Sequence, residues 1–409
     1  MVAIVILIIK CILIILFTYL TASVLYHLAL AAAFLLIKEP EQPVSQAHTR
    51  FAIVVPAHNE ELLIEVFCQN MLTIDYPSDM REIFIIADNC SDKTADICRT
   101  HAVQVMSRFD TVNIGKGYAL KWAFENIDMD KFDAVLILDA DTTVEPSILQ
   151  NLNSMIEKGS QAIQCYIKVP NRGESWFTQL IYVSRTINNL LYHFAKYKLG
   201  LSSYLMGTGM CFRTSLLKEQ AWTAFTLSED WEYFAKLIAL GKKIDFAVGA
   251  VVLQQESRSL KQATTQRLRW SKGRFYVIKN LGMNLLFQGL RTKNWTMLDA
   301  SLALLFPNWS LQINLIFVAL FTSLMLPSSV FKSVSIILSI GMLGVQGIIL
   351  FIGIVLAGDV WPVFKAILVA PLFLVWKFMI DFVSMTGIYR GKKWIRTERH
   401  IPNEQSKNS

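Results

Sequence analysis

Charge is what this chain has least of. Asp, Glu, Lys and Arg make up 17% of its 409 residues, against 53% hydrophobic residues, which is too apolar for an ordinary soluble enzyme. Cysteine is sparse as well. The six cysteines form no CxxC pair and no His-rich cluster, so they indicate neither a zinc site nor a disulfide framework and fit reduced thiols in a cytosolic domain. A phosphate-binding GxxxxGK[ST] loop is also missing, although Gly115-Lys116-Gly117 supplies a glycine-flanked lysine at the start of a helix-like stretch. A helix N-terminus with a cation favours anions, while an exposed lysine in a turn would need no ligand at all.

What replaces charge is long apolar runs. Cys11 to Ile37, Ala300 to Phe331 and Ser333 to Gly358 each lack a charged residue and exceed the ~20 residues a helix needs to cross hydrocarbon. The first run is too long for a removable signal peptide, and no small-residue cleavage site follows it before Lys38, so it reads as an uncleaved anchor. The formal charge of +7 does not point to nucleic acid. Lys and Arg collect at 242–293 and 390–399, beside the apolar runs, without an aromatic-interleaved RNA signature, as expected of a cytoplasmic membrane face.

Between the runs the pattern is that of an α/β domain. Phe51 to Val55, ended by Pro56, and Ile83 to Ala87, ended by Asp88, read as buried strands. Asn59 is a candidate N-cap after the first, and Ser91 or Asp92 after the second. A third run, Ala134 to Leu138, stops at Asp139-Ala140-Asp141. Strand, helix, strand, helix, strand predicts parallel pairing with right-handed crossovers. Further on, Pro146 opens a helix, Gln161 to Ile167 alternates as a strand, and 174–199 is a long aromatic-rich helix. Met206 to Phe212 is strand-like but carries Gly207 and Gly209, a sign of close approach. Ser228 caps a helix beginning Glu229-Asp230, and 259–275 is a basic helix carrying Gln266-Arg267-Leu268-Arg269-Trp270.

Asp139 and Asp141, at i and i+2 on extended chain, share a side, and open α/β sheets bind ligands beyond the carboxyl ends of their strands. Mg2+ or Mn2+ takes one or two carboxylates from a protein and completes its shell with substrate phosphates and water. A solvated loop acid pair is the alternative.

As a set, and in this order, FAIVVPAHNEE, IIADNCSDKTADI, GKGYAL, LILDADTTVEP, GTGMCF, SEDWEY and QRLRW resemble the family 2 glycosyltransferases, in the membrane-bound, cellulose-synthase-like branch that makes β-linked glycans. The resemblance covers 51–275, then WIRT and Arg399 in the tail. It implies a nucleotide-sugar-binding domain of the GT-A kind, with Pro56, His58, Glu60 and Asp88 at the nucleoside, Lys116 also on the donor, and Asp139 and Asp141 as the divalent metal and diphosphate motif. It further implies Asp230 as general base, Gln266 and Arg269 on the diphosphate, and Trp270, with Gly207, Thr208 and Glu229, on the acceptor side. GTGMCF matches the family's acceptor-side motif only loosely, leaving the acceptor open.

Chemistry supports these roles independently. A hydroxyl acceptor needs a base, and Glu229 beside Asp230 would raise its pKa by like-charge repulsion. A metal with Arg269 stabilises a departing nucleotide diphosphate, so no second catalytic carboxyl is required, unlike glycoside hydrolysis. The expected reaction is inverting transfer from a nucleotide sugar, a UDP-sugar by expectation, to form a β-linked glycan, singly or processively. The alternatives are transfer of one sugar to a lipid (polyprenyl phosphate or diacylglycerol) and a transporter or scaffold with an inert nucleotide fold.

The expected organisation is an anchor at 1–37, a linker at 38–50, a GT-A domain at 51–275, an amphipathic interfacial region at 276–297, transmembrane or re-entrant segments at 298–389 and a basic cytosolic tail at 390–409. Such a chain is multi-pass in the cell membrane with its catalytic domain in the cytoplasm. A basic tail at Arg390 to Arg399 requires one C-terminal segment not to cross fully. The candidates are the run broken at Pro307-Asn308 and the last segment, Ala366 to Tyr389, where Lys377 and Asp381 form an i, i+4 pair. An ordinary span with its ion pair buried in the bundle is the competing expectation.

Overall fold

A computed structural model describes residues 1–38, 46–358 and 360–386. The basic tail, WIRT, Arg399 and the side on which the C-terminus lies fall outside the described residues, as does most of the proline-containing linker.

Eight strands form one mixed sheet: β1 (Phe51–Ala57), β2 (Arg81–Asp88), β3 (Gln104–Arg108), β4 (Ala134–Ile137), β5 (Thr142–Val144), β6 (Ala162–Lys168), β7 (Met210–Arg213) and β8 (Asp245–Gln254). Their order is β3-β2-β1-β4-β7-β6-β8-β5. The expected parallel part is β2 and β4 on either side of β1, and an unexpected strand, β3, pairs in parallel outside β2. β1 is buried on both faces, which is why it reads as an unbroken apolar run. Phe51, Ile53 and Val55 pack toward the helices Ile64–Leu72 and Ile148–Glu157, while Ala52 and Val54 face Ala119, Leu120 and Phe234.

The sheet is less uniformly parallel than the sequence suggested. β7 runs antiparallel to both β4 and β6, so its N-terminal end lies beside the carboxyl ends of β1, β2 and β4. Gly207 and Gly209 precede this strand rather than lying within it, both at positive φ (+86° and +64°). At Gly209 a Cβ would come within 2.8 Å of Cys165 Cβ and Val252 Cγ2, so glycine is required by space as well as by backbone.

Local readings held unevenly. Asn59 is not an N-cap: it sits at φ 55°, its Oδ1 accepts the Ser91 N–H, and the helix begins only at Ile64. Asp92 Oδ1 does accept the Thr94 N–H at the start of Thr94–Arg99. The long helix expected at 174–199 starts at Trp176 with a Ser175/Thr178 capping box, then widens into a π-helix at Asn188–Phe194. Ser228 holds the expected cap position before Glu229–Ala239, but its side chain makes no capping hydrogen bond.

Among the described residues two helices are long and apolar enough to cross a membrane, Val2–Leu36 and Val330–Ala357. Two further pairs, Trp295–Leu305 with Trp309–Met325 and Val360–Ile367 with Ala370–Met385, are bent by 66° and 63°. The first bend falls at Pro307-Asn308, where Asn308 caps the next helix through its side chain. The first helix is tied to the α/β domain: Lys198 Nζ donates to the carbonyls of Phe34 and Ile37 at its end. Tyr26 donates to Asp299, which also pairs with the fully buried Lys196 at 2.8 Å.

Candidate active site

The carboxyl ends of β1, β2 and β4, the turn before β7, the first turns of helices Lys116–Asn126 and Glu229–Ala239 and the middle of helix Leu260–Val277 line one cavity of about 1010 Å³. Pro56, His58, Glu60, Asp88, Lys116, Asp139, Asp141, Gly207, Glu229, Asp230, Gln266, Arg269 and Trp270 all line it. Residues chosen from motifs spread over 200 positions are thus brought to one space. Thr208 is the exception: it is fully buried, does not line the cavity, and its Oγ1 accepts the Asp139 N–H at 3.1 Å. It positions Asp139 instead of meeting the cavity's contents.

At one end of the cavity, Arg108 Nη1 meets Asp88 Oδ1 at 2.5 Å, both side chains being buried. Burial holds the Asp88 carboxyl above its usual range even against this partner. His58 donates from Nδ1 to the Asp88 carbonyl at 2.7 Å, joining the ends of β1 and β2. Ile114 and Gly115 complete this end.

Lys116 is the electrostatic centre. Its Nζ donates to Asp139 Oδ1 at 2.5 Å and to the Gly207 carbonyl at 2.6 Å, and lies 3.8 Å from Glu229 Oε1. Burial disfavours its charge, but the carboxylates of Asp139, Glu229 and Asp230 outweigh burial and raise its pKa. Helix Lys116–Asn126 presents it this way because a Cβ at Gly117 would collide with the Ala224 carbonyl oxygen, so only glycine lets the helix approach that loop. The lysine that sequence alone left between a turn and an anion site is therefore built into an acidic cluster.

Asp230 is pushed up to about 7, first by burial and second by the Glu229 carboxylate. Like-charge repulsion was the expected cause and is the smaller one. Its Oδ1 accepts the Trp231 N–H at 2.8 Å, and Gly207 lies directly opposite Oδ2, where a Cβ would sit 3.5 Å away. A carboxylate poised near neutrality in an enclosed site is suited to taking a proton from a hydroxyl.

Helix Leu260–Val277 carries Gln266, Arg269 and Trp270 past the start of Glu229–Ala239. Contact is made at Gly273, where a Cβ would collide with the Ser228 hydroxyl and come within 2.8 Å of Ser228 Cβ. Gly273→Ala is expected to cost about 1–3 kcal/mol of stability and to lower turnover by displacing the turn that holds Asp230. Thermal unfolding and initial rates check this, and wild-type values in both would show that the two helices are not in such close contact.

Sequence reasoning missed the supports behind these residues. Arg267 lies over the Trp270 ring at 4.5 Å and pairs with Glu256 at 2.6 Å. Glu256, 3% exposed, also holds Arg185 at 3.2 Å. Arg267 and Trp270, at i and i+3, share a helix face, so this partnership was available from spacing. Arg185, Glu256 and Arg108 stand in no motif and left no signal. Lys377 and Asp381 are in contact and buried, and Asp381 accepts from Ser271 Oγ at 2.8 Å, beside Trp270. A span and an interfacial segment both accommodate such a buried pair, which here packs against helix Leu260–Val277.

The far end of the cavity changes character. Phe306, Ile313, Ile349, Val363, Ile367 and Phe373, all from the apolar C-terminal segments, line it together with Ile181 and Ile187. The cavity is therefore continuous from the acidic cluster to the membrane-type helices.

The model of the family described as "Glycosyltransferase like family 2" matches residues 48–273. "Probable glycosyltransferase YdaM" of Bacillus subtilis is 27% identical over 56% of this chain and 56% of its own length. The beta-monoglucosyldiacylglycerol synthase of Trichormus variabilis is 24% identical over 54% of this chain and 48% of its own. The chain thus spans about half the length of these curated relatives. Among solved structures, the mannosyltransferase PcManGT from Pyrobaculum calidifontis, in complex with GDP-Man and Mn2+, aligns over 91% of this chain and 99% of that one at a TM-score of 0.59 and 18% identity, a likeness of fold. With the family model covering the sheet, the acidic cluster and the Gln266 to Trp270 helix, the chain belongs to the family 2-like glycosyltransferases and has their GT-A fold.

Proposed function

We propose that this protein transfers one sugar from a nucleotide-diphosphate sugar to a hydroxyl group of a membrane lipid, inverting the anomeric centre. The observation that carries this reading is the single cavity in which Asp230 and the Asp139/Asp141 pair share space with apolar residues of the membrane-type helices. A lipid can bury acyl chains at one end while presenting its headgroup at the other. A growing hydrophilic glycan gains nothing from that apolar lining, which weighs against the processive alternative.

Asp230 supports a hydroxyl rather than a phosphate acceptor. A phosphate is already ionised near pH 7 and needs no base, and Glu229 with Asp230 would repel it. A hydroxyl needs its proton removed as the new bond forms, and a buried carboxyl at about 7 is matched to that task. The sugar–phosphate bond breaks on the opposite face, so an α-linked donor yields a β-linked product. Gln266 and Arg269 face the diphosphate, and Trp270, held by Arg267, offers its ring to the acceptor side.

The donor set of Asp139 and Asp141 fits a hard divalent cation. Among the described residues no group of three His, Cys, Asp or Glu side chains could cage a metal alone, and Mg2+ or Mn2+ needs only one or two carboxylates when substrate phosphates supply the rest. Bound there, such an ion supplies positive charge to the leaving diphosphate. Lys116 holds Asp139 in place and brings its own positive charge to the same side. The Mn2+ of the PcManGT complex and the glucosyldiacylglycerol in the name of the Trichormus relative agree with the reading.

In the membrane, the helix Ala370–Met385 binds the Gln266 to Trp270 helix along its length: Trp376 donates to Thr264, Lys377 to Ser271 and Ser384 to the Leu268 carbonyl. Such commitment to the catalytic domain supports an interfacial or re-entrant segment over a full span.

The test is a screen of purified full chain in detergent against UDP- and GDP-sugars, with diacylglycerol, polyprenyl phosphate and oligosaccharide acceptors, products being identified by mass spectrometry. A glycolipid carrying one sugar on a lipid hydroxyl is expected. Polymer on the oligosaccharide, or transfer only to the polyprenyl phosphate, overturns the acceptor assignment.

A further inference from the structure

We infer that the segment from Tyr276 to Trp295 is a docking surface for a bilayer rich in anionic phospholipid. Between Glu256 and Asp299 the chain has nine lysines and arginines and no acidic residue. Some of these cations are used internally: Arg258 pairs with Glu174, Arg267 with Glu256, and Arg274 donates to the Phe306 carbonyl. Lys279, Arg291 and Lys293 are exposed and make no ion pair among the described residues.

The same segment exposes an apolar stripe. Met283, Phe287 and Leu290, at i, i+4 and i+7 of helix Met283–Thr292, share one face, and Phe287 is 61% exposed. Tyr276 and Trp295, the latter 79% exposed, extend this surface at either end. The opposite face is spoken for, since Leu285 is buried and Gly289 lies against Leu298. Apolar side chains flanked by unpaired cations complement the acyl boundary and anionic headgroups of a bilayer. The bent pair Trp295–Leu305 and Trp309–Met325 follows directly, so the surface is continuous with the membrane-type segments.

Lys293 adds a second argument. It closes helix Met283–Thr292 at φ 53°, ψ 34°, the left-handed position where glycine is favoured. A lysine there bears backbone strain with no ion pair inside the protein to offset it. An anionic headgroup supplies the missing partner. Because Tyr276 and Lys279 continue the helix that carries Gln266, Arg269 and Trp270, docking also holds that helix at the cavity.

Hydrogen exchange of the full chain in nanodiscs tests this, comparing phosphatidylcholine alone with a phosphatidylcholine and phosphatidylglycerol mixture. Peptides from 276–293 are expected to exchange on the order of tenfold more slowly in the anionic discs, and the triple variant Lys279→Gln, Arg291→Gln, Lys293→Gln to lose that difference. Lys293→Gly alone, which relieves the strain, is expected to unfold no earlier than wild type and yet to lose part of the difference. Equal exchange of 276–293 in the two lipids, or an undiminished difference in both variants, overturns the inference.

Discussion

Asp230→Asn is expected to reduce turnover on the order of 100-fold or more while leaving donor affinity near that of wild type. The carboxyl is the enclosed group whose pKa, about 7, is matched to deprotonating a hydroxyl, and it lies beside Gly207, whose carbonyl accepts from Lys116. The wild-type rate should fall as pH drops through about 7, because protonation removes the base. Glu229→Gln, by deleting the nearby negative charge, should move that limb to lower pH, although only partly, since burial is the larger cause. Stability should run the other way. A carboxyl whose folded pKa lies above its unfolded value contributes stability at pH below the unfolded value, and this is lost as pH rises through about 7. Asp230→Asn should therefore unfold at the same or a higher temperature than wild type at pH 8. Titration showing that Asp230→Asn loses nucleotide binding, or a pH profile flat across 6 to 8, would remove the base role.

Asp139→Asn is expected to lower turnover roughly 100- to 1000-fold, the scale for removing a group that stabilises transition-state charge. It weakens the site twice over. One of two carboxylates suited to a divalent ion is lost, and Lys116 loses the negative charge of its 2.5 Å partner while keeping the Gly207 carbonyl and the more distant Glu229. Nucleotide binding should decline as well and should cease to respond to EDTA, which separates this variant from Asp230→Asn. The fold should survive, since Asp139 lies beyond the end of β4 and its backbone N–H remains bonded to Thr208. Wild-type protein indifferent to EDTA, or an Asp139→Asn variant with near-normal rates, would sink the metal and diphosphate assignment.

Much of this site was legible in the linear chain. Residues at strand ends and helix starts are placed by local rules: an apolar run must be buried, and its terminating Asp must then emerge at the sheet's edge, as Asp88 and Asp139 do. Spacing put Gln266, Arg269 and Trp270 on one helical face, and the break at Pro307-Asn308 followed from proline's missing N–H and fixed φ. Long uncharged runs required membrane-type helices whatever the rest of the chain did.

Tertiary structure decided what depends on partners distant in sequence. Polar edge strands such as β3 carry no buried run and were invisible until paired, and the antiparallel insertion of β7 could not be inferred from glycines that precede it. Thr208 had the look of a ligand contact and became a support for Asp139, because burial depends on which strands flank a residue. Lys116 acquired its role only when the fold gathered Asp139, Gly207 and Glu229 around one ammonium. The pKa of Asp230 was expected from one neighbour but is set mainly by desolvation, a property of the whole enclosure that no pair of adjacent letters encodes.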